Sequence, residues 1–275
     1  MESLARGGVR KMRSRLAGPV EYTLPLGEVG IDMNSLLEQK IKLEFSGDIH
    51  CVNCGRKTKK SFNQGHCFPC LQTLAQCDSC IIHPEKCHFD QGTCREPGWG
   101  ERHCMQDHIV YLANSSGLKV GITRATQVPT RWIDQGATQA LAIFRVRTRL
   151  QSGVLEMIFK QHVADKTNWR EMLKGTPEEL DMKAKSIELT EKCRSEIAEL
   201  KERFGFFAIS VLTGIETVEI AYPVVRYLEK INSFNFDKDP VVEGTLLGVK
   251  GQYLIFDTGV INMRRFSGYD VEVSS

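Results

Sequence analysis

Residues 109–124 read IVYLANSSGLKVGITR. Two runs rich in β-branched and aromatic residues flank the polar break Asn114-Ser115-Ser116-Gly117, which is the pattern of two strands joined as a hairpin. The pattern beyond it predicts a short helix near Thr130 to Gln135, a strand in ALAIFRVRT and a helix from Val154 to about Ala164. Together these describe a small αβ module over residues 109–175.

Immediately upstream the chain is crowded with thiols. Of its ten cysteines, nine lie between Cys51 and Cys104, and only Cys193 lies outside. In CVNCGRKTKKSFNQGHCFPC, residues 51–70, two Cys-x2-Cys knuckles are separated by twelve residues. Two such turns can set Cys51, Cys54, Cys67 and Cys70 tetrahedrally about one structural zinc ion at about 2.3 Å, with an iron–sulfur cluster as the competing reading. Five more cysteines follow, interleaved with His83, His88, His103 and His108. That is enough for a second zinc, with Cys80, Cys87, Cys94 and Cys104 as first choice and Cys77 and His108 in reserve; buried, unligated thiols are the alternative. Closed four-ligand sites are structural, so neither cluster implies catalysis. Residues 51–108 therefore read as a zinc-ribbon, Cys/His-rich insert.

The ends of the chain have another character. VEYTLPL and KIKLEF within residues 1–50 read as strands, and TLLGVKGQYLIFDTGVINMRRFSGYDVEV near the C-terminus reads as a β meander broken at glycines. Between them, residues 177–204 predict one helix that starts at Pro177 and stops at Gly205, with Leu180, Ile187, Cys193, Ile197, Leu200 and Phe204 on its apolar stripe. The expected fold class is α+β. N-terminal (1–50) and C-terminal (176–275) β segments, expected to pack together, flank the zinc insert and the αβ module.

At 275 residues the chain can bury more than one core. No run approaches the roughly 20 apolar residues of a membrane span, and the N-terminus lacks the apolar core of a signal peptide, so the reading excludes a membrane protein and places it in the cytoplasm. A reducing compartment turns ten thiols away from disulfides and toward metal. The net charge of +2 conceals a division: residues 109–175 hold ten Lys and Arg against four Asp and Glu, whereas residues 176–275 hold twelve against seventeen. A basic module suits a polyanion, since neutralising phosphates releases counterions.

The order Ile109-Val110-Tyr111, then Lys119-Val120-Gly121, then Arg131, then Glu156 resembles the GIY-YIG nuclease superfamily, with Lys119 standing where a second tyrosine is common. The resemblance implies phosphodiester hydrolysis. Glu156 would hold magnesium or manganese, Arg131 the phosphate, and Tyr111 would act as base or orienter, with Lys119 completing the candidate catalytic set. Taken singly, each is an ordinary strand or helix residue. Arg124, Trp132, Lys166, Asn168 and Arg170 are the candidate nucleic-acid contacts, as cations, an amide and an indole that can stack a base; Arg56, Lys57, Lys59 and Lys60 between the knuckles are further cations that could touch phosphates. Through CGRKTKKSFNQGHCFPC, GTCREP, HIVYLA, KVGITR, PTRWIDQGA, DKTNWR and GQYL, the whole chain is similar to an uncharacterised bacterial family, domain of unknown function 2797, which brings no function with it.

The leading functional expectation is a zinc-containing protein that binds DNA or RNA, with metal-dependent endonuclease activity. The alternatives are an inactive nucleic-acid-binding module of the same kind, and a zinc-stabilised protein-interaction protein whose contact surface is the acidic 176–275 segment.

Overall fold

A computed structural model describes all 275 residues. The N-terminal segment forms β1 (Ser3–Gly8), β2 (Arg13–Arg15), β3 (Glu21–Leu26), β4 (Val29–Asp32) and β5 (Lys40–Ile49). The cysteine-rich segment has only two short helices, α1 (Phe68–Thr73) and α2 (Pro97–His103), amid single 3-10 turns. The hairpin follows as β6 (His108–Asn114) and β7 (Leu118–Arg124), then α3 (Thr130–Asp134), β8 (Gln139–Val146) and α4 (Arg149–Phe159). After α5 (Trp169–Met172) come α6 (Met182–Lys192), α7 (Arg194–Phe204), β9 (Ile209–Val211) and β10 (Val218–Glu219). The chain ends in β11 (Val241–Lys250), β12 (Tyr253–Phe256), β13 (Gly259–Asn262) and β14 (Tyr269–Ser274).

Strands from the two ends of the chain share one six-stranded sheet, in the order β1-β14-β5-β11-β12-β13. β5 lies antiparallel between β14 and β11, with Leu43 opposite Val273 on one side and Val242 on the other. Its alternation of Ile41 and Leu43 with Lys40, Lys42 and Glu44 buries one face only. A three-stranded sheet, β2-β3-β4, adds Tyr22, Leu24 and Leu26 to the same core.

The hairpin's sheet has the order β10-β8-β6-β7, with β9 also on β8. Every residue of β6 is buried, because the strand has a core on each side. Val110 and Leu112 join Leu155, Phe159, Leu189, Ile197 and Leu200 from α4, α6 and α7. Ile109, Tyr111 and Ala113 face the other way, into the core shared with the terminal sheets. This period of two places Tyr111 at the junction of the modules.

Two expectations for the helices change. The helix at the end of the module runs Arg149–Phe159, earlier than expected, because Thr148 and Gln151 form a capping box that starts it. The 177–204 segment is two helices meeting at Cys193, and its first five residues precede α6, whose N-cap is Asp181, accepting from Ala184 N at 2.9 Å. Cys193 is fully buried, as its place on the stripe implied, but Ile187 is 72% exposed.

Candidate functional site

The first knuckle is closed by backbone bonds: Cys51 N donates to Arg56 O and Gly55 N to Cys51 O, each at 2.9 Å. Gly55 takes φ +71°, the left-handed conformation the tight turn needs. In the second knuckle, Cys67 is the N-cap of α1 and Cys70 lies one turn into it. The four sulfur atoms lie within 4.8 Å of one another, with Cys54 Sγ 3.7 Å from Cys67 Sγ. A tetrahedral zinc with bonds of about 2.3 Å needs sulfurs about 3.8 Å apart, so the quartet can hold this ion. Asn53 Nδ2 donates to Cys70 Sγ at 3.5 Å, an outer contact that orients a thiolate. Burial pushes the Cys51 thiol up, but the backbone N–H groups of Cys54, Cys67 and Asn53 outweigh it and hold the thiol down to about 6, ready to ligate.

The ribbon is docked, not pendant. His50 N donates to Gly268 O at 2.7 Å, and Arg264 Nε donates to Gln64 Oε1 at 2.6 Å. Arg56, Lys57, Lys59 and Lys60 are exposed, Lys57 pairing with Asp48 at 2.6 Å. Cys80, Cys87, Cys94 and Cys104 line one small pocket, together with Phe89 and Trp99. Cys77 is not among its lining residues, and His108, fully buried on β6, contacts Gln106 O through Nδ1 at 2.7 Å.

A cleft of about 550 Å³ opens where five parts of the chain meet. The N-terminus supplies Lys11, the ribbon Asn63 and Gln64, the next turns Ile81, Ile82 and Pro84, the C-terminal sheet Arg264, and the αβ module the rest. From the module come Gly121, Arg124, Arg131, Gln135, Arg149, Glu156 and Asp165. Asp134 is neutralised by Lys11, while Glu156 and Asp165 share Lys160, at 3.5 and 3.2 Å. Arg124, Arg131, Arg149 and Arg264 line the cleft with no carboxylate ion-pair partner. Burial lowers the Arg264 and Arg124 pKa values, and neighbouring Arg131 and Arg149, respectively, add to it. A cluster of desolvated, mutually repelling guanidinium groups is relieved by an anion.

All four candidate catalytic residues converge here, at two depths. Arg131 and Glu156 line the cleft, whereas Tyr111 and Lys119 lie beneath its floor, 0% and 2% exposed. Gly121 is the reason Tyr111 fits, since a Cβ there would come within 2.7 Å of the Tyr111 hydroxyl. Tyr111 donates to Gln135 Oε1 at 2.9 Å, and Lys119 Nζ donates to the same oxygen at 2.6 Å and to Thr167 Oγ1 at 2.7 Å. Burial raises Tyr111 to about 12 and lowers Lys119 to about 7, with Arg131 as a second cause for Lys119. Burial also raises Glu156, against the pull of Lys160. Lys119, not Tyr111, is therefore the group of this pair poised to exchange a proton near neutrality.

The candidate nucleic-acid contacts divide. Arg124 lines the cleft, but Trp132 is 3% exposed and packs edge-on to Tyr111 at 5.8 Å, so its indole belongs to the core and is closed to a base. Lys166, Asn168 and Arg170 are exposed outside the cleft lining. Asn168 caps α5, and Arg170 lies over one face of Trp169 at 4.3 Å while Tyr253 stacks with that ring at 5.7 Å. Lys11, Arg149 and Arg264 escaped the sequence reading. Lys11 and Arg264 come from the chain ends and carry no local motif, and Arg149 was hidden by placing the start of α4 too late.

The family described as "protein of unknown function (DUF2797)" matches residues 38–271. The chain belongs to this family. The match spans the ribbon, the second cysteine cluster, the hairpin module and most of the shared sheet, so it covers every cleft residue except Lys11. No curated protein and no solved structure matches the chain. No helix is long and apolar enough to cross a membrane.

Proposed function

We propose that the cleft binds the phosphodiester backbone of DNA or RNA and hydrolyses it with a divalent ion, as the resemblance of the module to GIY-YIG nucleases implies. The observation that carries this is the convergence of Tyr111, Lys119, Arg131 and Glu156 at one cleft beside three further unpaired arginines. Arg131, on the cleft wall, takes the scissile phosphate. Glu156 and Asp165 offer the hard oxygen donors that suit magnesium or manganese, which would polarise the phosphate and lower the pKa of attacking water. Tyr111 and Lys119, held by one Gln135 oxygen, orient that water, and the neutral amine of Lys119 accepts its proton. The Cys51 quartet is architectural: its zinc fixes the ribbon loop that brings Asn63 and Gln64 to the rim.

A second reading, an inactive binding module, is favoured by Lys160, whose ammonium already bridges Glu156 and Asp165 and supplies the positive charge a divalent ion would bring. The two readings separate in a cleavage assay with single-stranded, duplex and branched DNA and RNA, with magnesium or manganese added. Cutting that is lost by at least about 100-fold in both Glu156→Gln and Arg131→Ala supports the nuclease. Salt-sensitive binding without cutting supports the inactive module. Neither binding nor cutting overturns both and leaves a protein partner as the function to seek.

A further inference from the structure

We propose that Cys80, Cys87, Cys94 and Cys104 hold a second structural zinc, and that this ion fixes one wall of the cleft. The four cysteines come from separate turns and line one pocket. Cys80 and Cys104 are buried, and Cys87 and Cys94 are half-buried.

An independent observation is the absence of anything else to hold this segment. Residues 75–107 consist of 3-10 turns and one seven-residue helix, and none of them belongs to a hydrophobic core cluster. A segment without a core needs covalent or metal cross-links to order it, and all ten cysteines are free thiols. Asp78 and His88 also approach Cys80. Asp78, however, is committed to Arg95 at 2.8 Å, and His88 Nδ1 contacts Thr93 Oγ1 at 2.7 Å, so the pair forms an outer shell around the sulfur set. Binding releases the thiol protons, and the resulting dianionic site has a nearby counter-charge in Arg149, whose guanidinium donates to the Cys80 carbonyl at 3.5 Å.

Arg149 also ties the site to the cleft. Its guanidinium donates to Ile81 O at 2.6 Å, its N–H donates to Cys104 O at 2.8 Å, and it opens α4, the helix that carries Glu156. Between the ligands Cys80 and Cys87, residues Ile81, Ile82 and Pro84 line the cleft, and the turn at Pro84–Lys86 lies against Gly153 of α4.

The test is the metal content of the full chain purified under reducing conditions, by mass spectrometry and X-ray absorption. The expected result is two zinc ions per chain with four sulfurs about each. A Cys87→Ser/Cys104→Ser variant should retain one, as should Cys51→Ser/Cys54→Ser, and Cys193→Ser should retain two. Loss of the second ion should raise amide hydrogen exchange at residues 81–86 and in the first turns of α4 by at least tenfold. One zinc in the wild type, fewer than four sulfurs per zinc, or disulfides among these cysteines would overturn the proposal. If a variant fails to fold, cobalt titration of the metal-stripped wild type still counts thiolate sites by their sulfur-to-cobalt absorption. The proposal is independent of the nuclease reading, since it is decided by metal content whether or not the protein cuts.

Discussion

Lys119 shows how position changes the chemistry of a residue. The resemblance to GIY-YIG nucleases would put a tyrosine in its place, but burial beneath the cleft floor brings it to about 7 from 10.5. Between those values the unfolded chain binds the proton that the folded chain lacks, so stability rises with pH across this window and the term is flat below about pH 7. Denaturant titrations of wild type and Lys119→Met should therefore diverge in favour of the wild type between pH 7 and 10, by on the order of 4 kcal/mol. A gap that does not change with pH would mean Lys119 titrates normally. Trp132 makes the complementary case. Packed against Tyr111 and 3% exposed, it should lose about 3–5 kcal/mol of stability on replacement by alanine, a cost that no solvent-facing base-stacking indole would show in a denaturant melt.

At the scale of elements, α4 is the part on which the site turns, since Arg149, Glu156 and the Gly153 contact lie on its successive turns. A Cβ at Gly153 would fall 2.4 Å from Glu85 N and 2.6 Å from Pro84 C, backbone atoms that cannot swing aside. Gly153→Ala should gain about 1 kcal/mol of helix propensity and lose about 1–3 kcal/mol to overpacking. We expect net destabilisation with weaker oligonucleotide binding, read by denaturant titration and fluorescence anisotropy; a more stable variant would show that the turn yields. The hairpin and the short helix α3 were legible because strand periodicity and the Asn114–Gly117 break are local signals. The bend at Cys193 was not, because one apolar stripe continues through both helices.

At the scale of the molecule, the terminal strands were expected to associate only by their similar character, and they do so as neighbours in one sheet. This closure carries Arg264, between β13 and β14, to the cleft beside Arg131. It also makes residues 109–175 an incomplete unit, since β9 and β10 complete its sheet and Tyr111 packs into the core of the terminal sheets. Each phosphate contact steepens the dependence of log K on log salt by about 0.7–0.9. Arg264→Ala should therefore flatten the salt dependence of oligonucleotide binding by about one, as should Arg124→Ala. Anisotropy titrations across salt concentrations check this, and an unchanged slope for Arg264→Ala would remove the C-terminal sheet from the binding surface.

The sequence by itself determined the chemistry available: the Cys51 quartet through its paired knuckles, the hairpin through its alternation, and Tyr111, Lys119, Arg131 and Glu156 through their order. The knuckles and the hairpin are written in residues close along the chain, where spacing alone sets geometry, whereas the order of the other four rests on a resemblance. Only the tertiary structure decided which side chains are open and which are closed. It buried Trp132, sank Tyr111 and Lys119 below the cleft, placed Lys160 between two carboxylates, and brought Lys11 and Arg264 from opposite ends of the chain to one rim. Those outcomes depend on long-range packing of sheets against the module, and a local pattern carries no record of which distant surface will cover it.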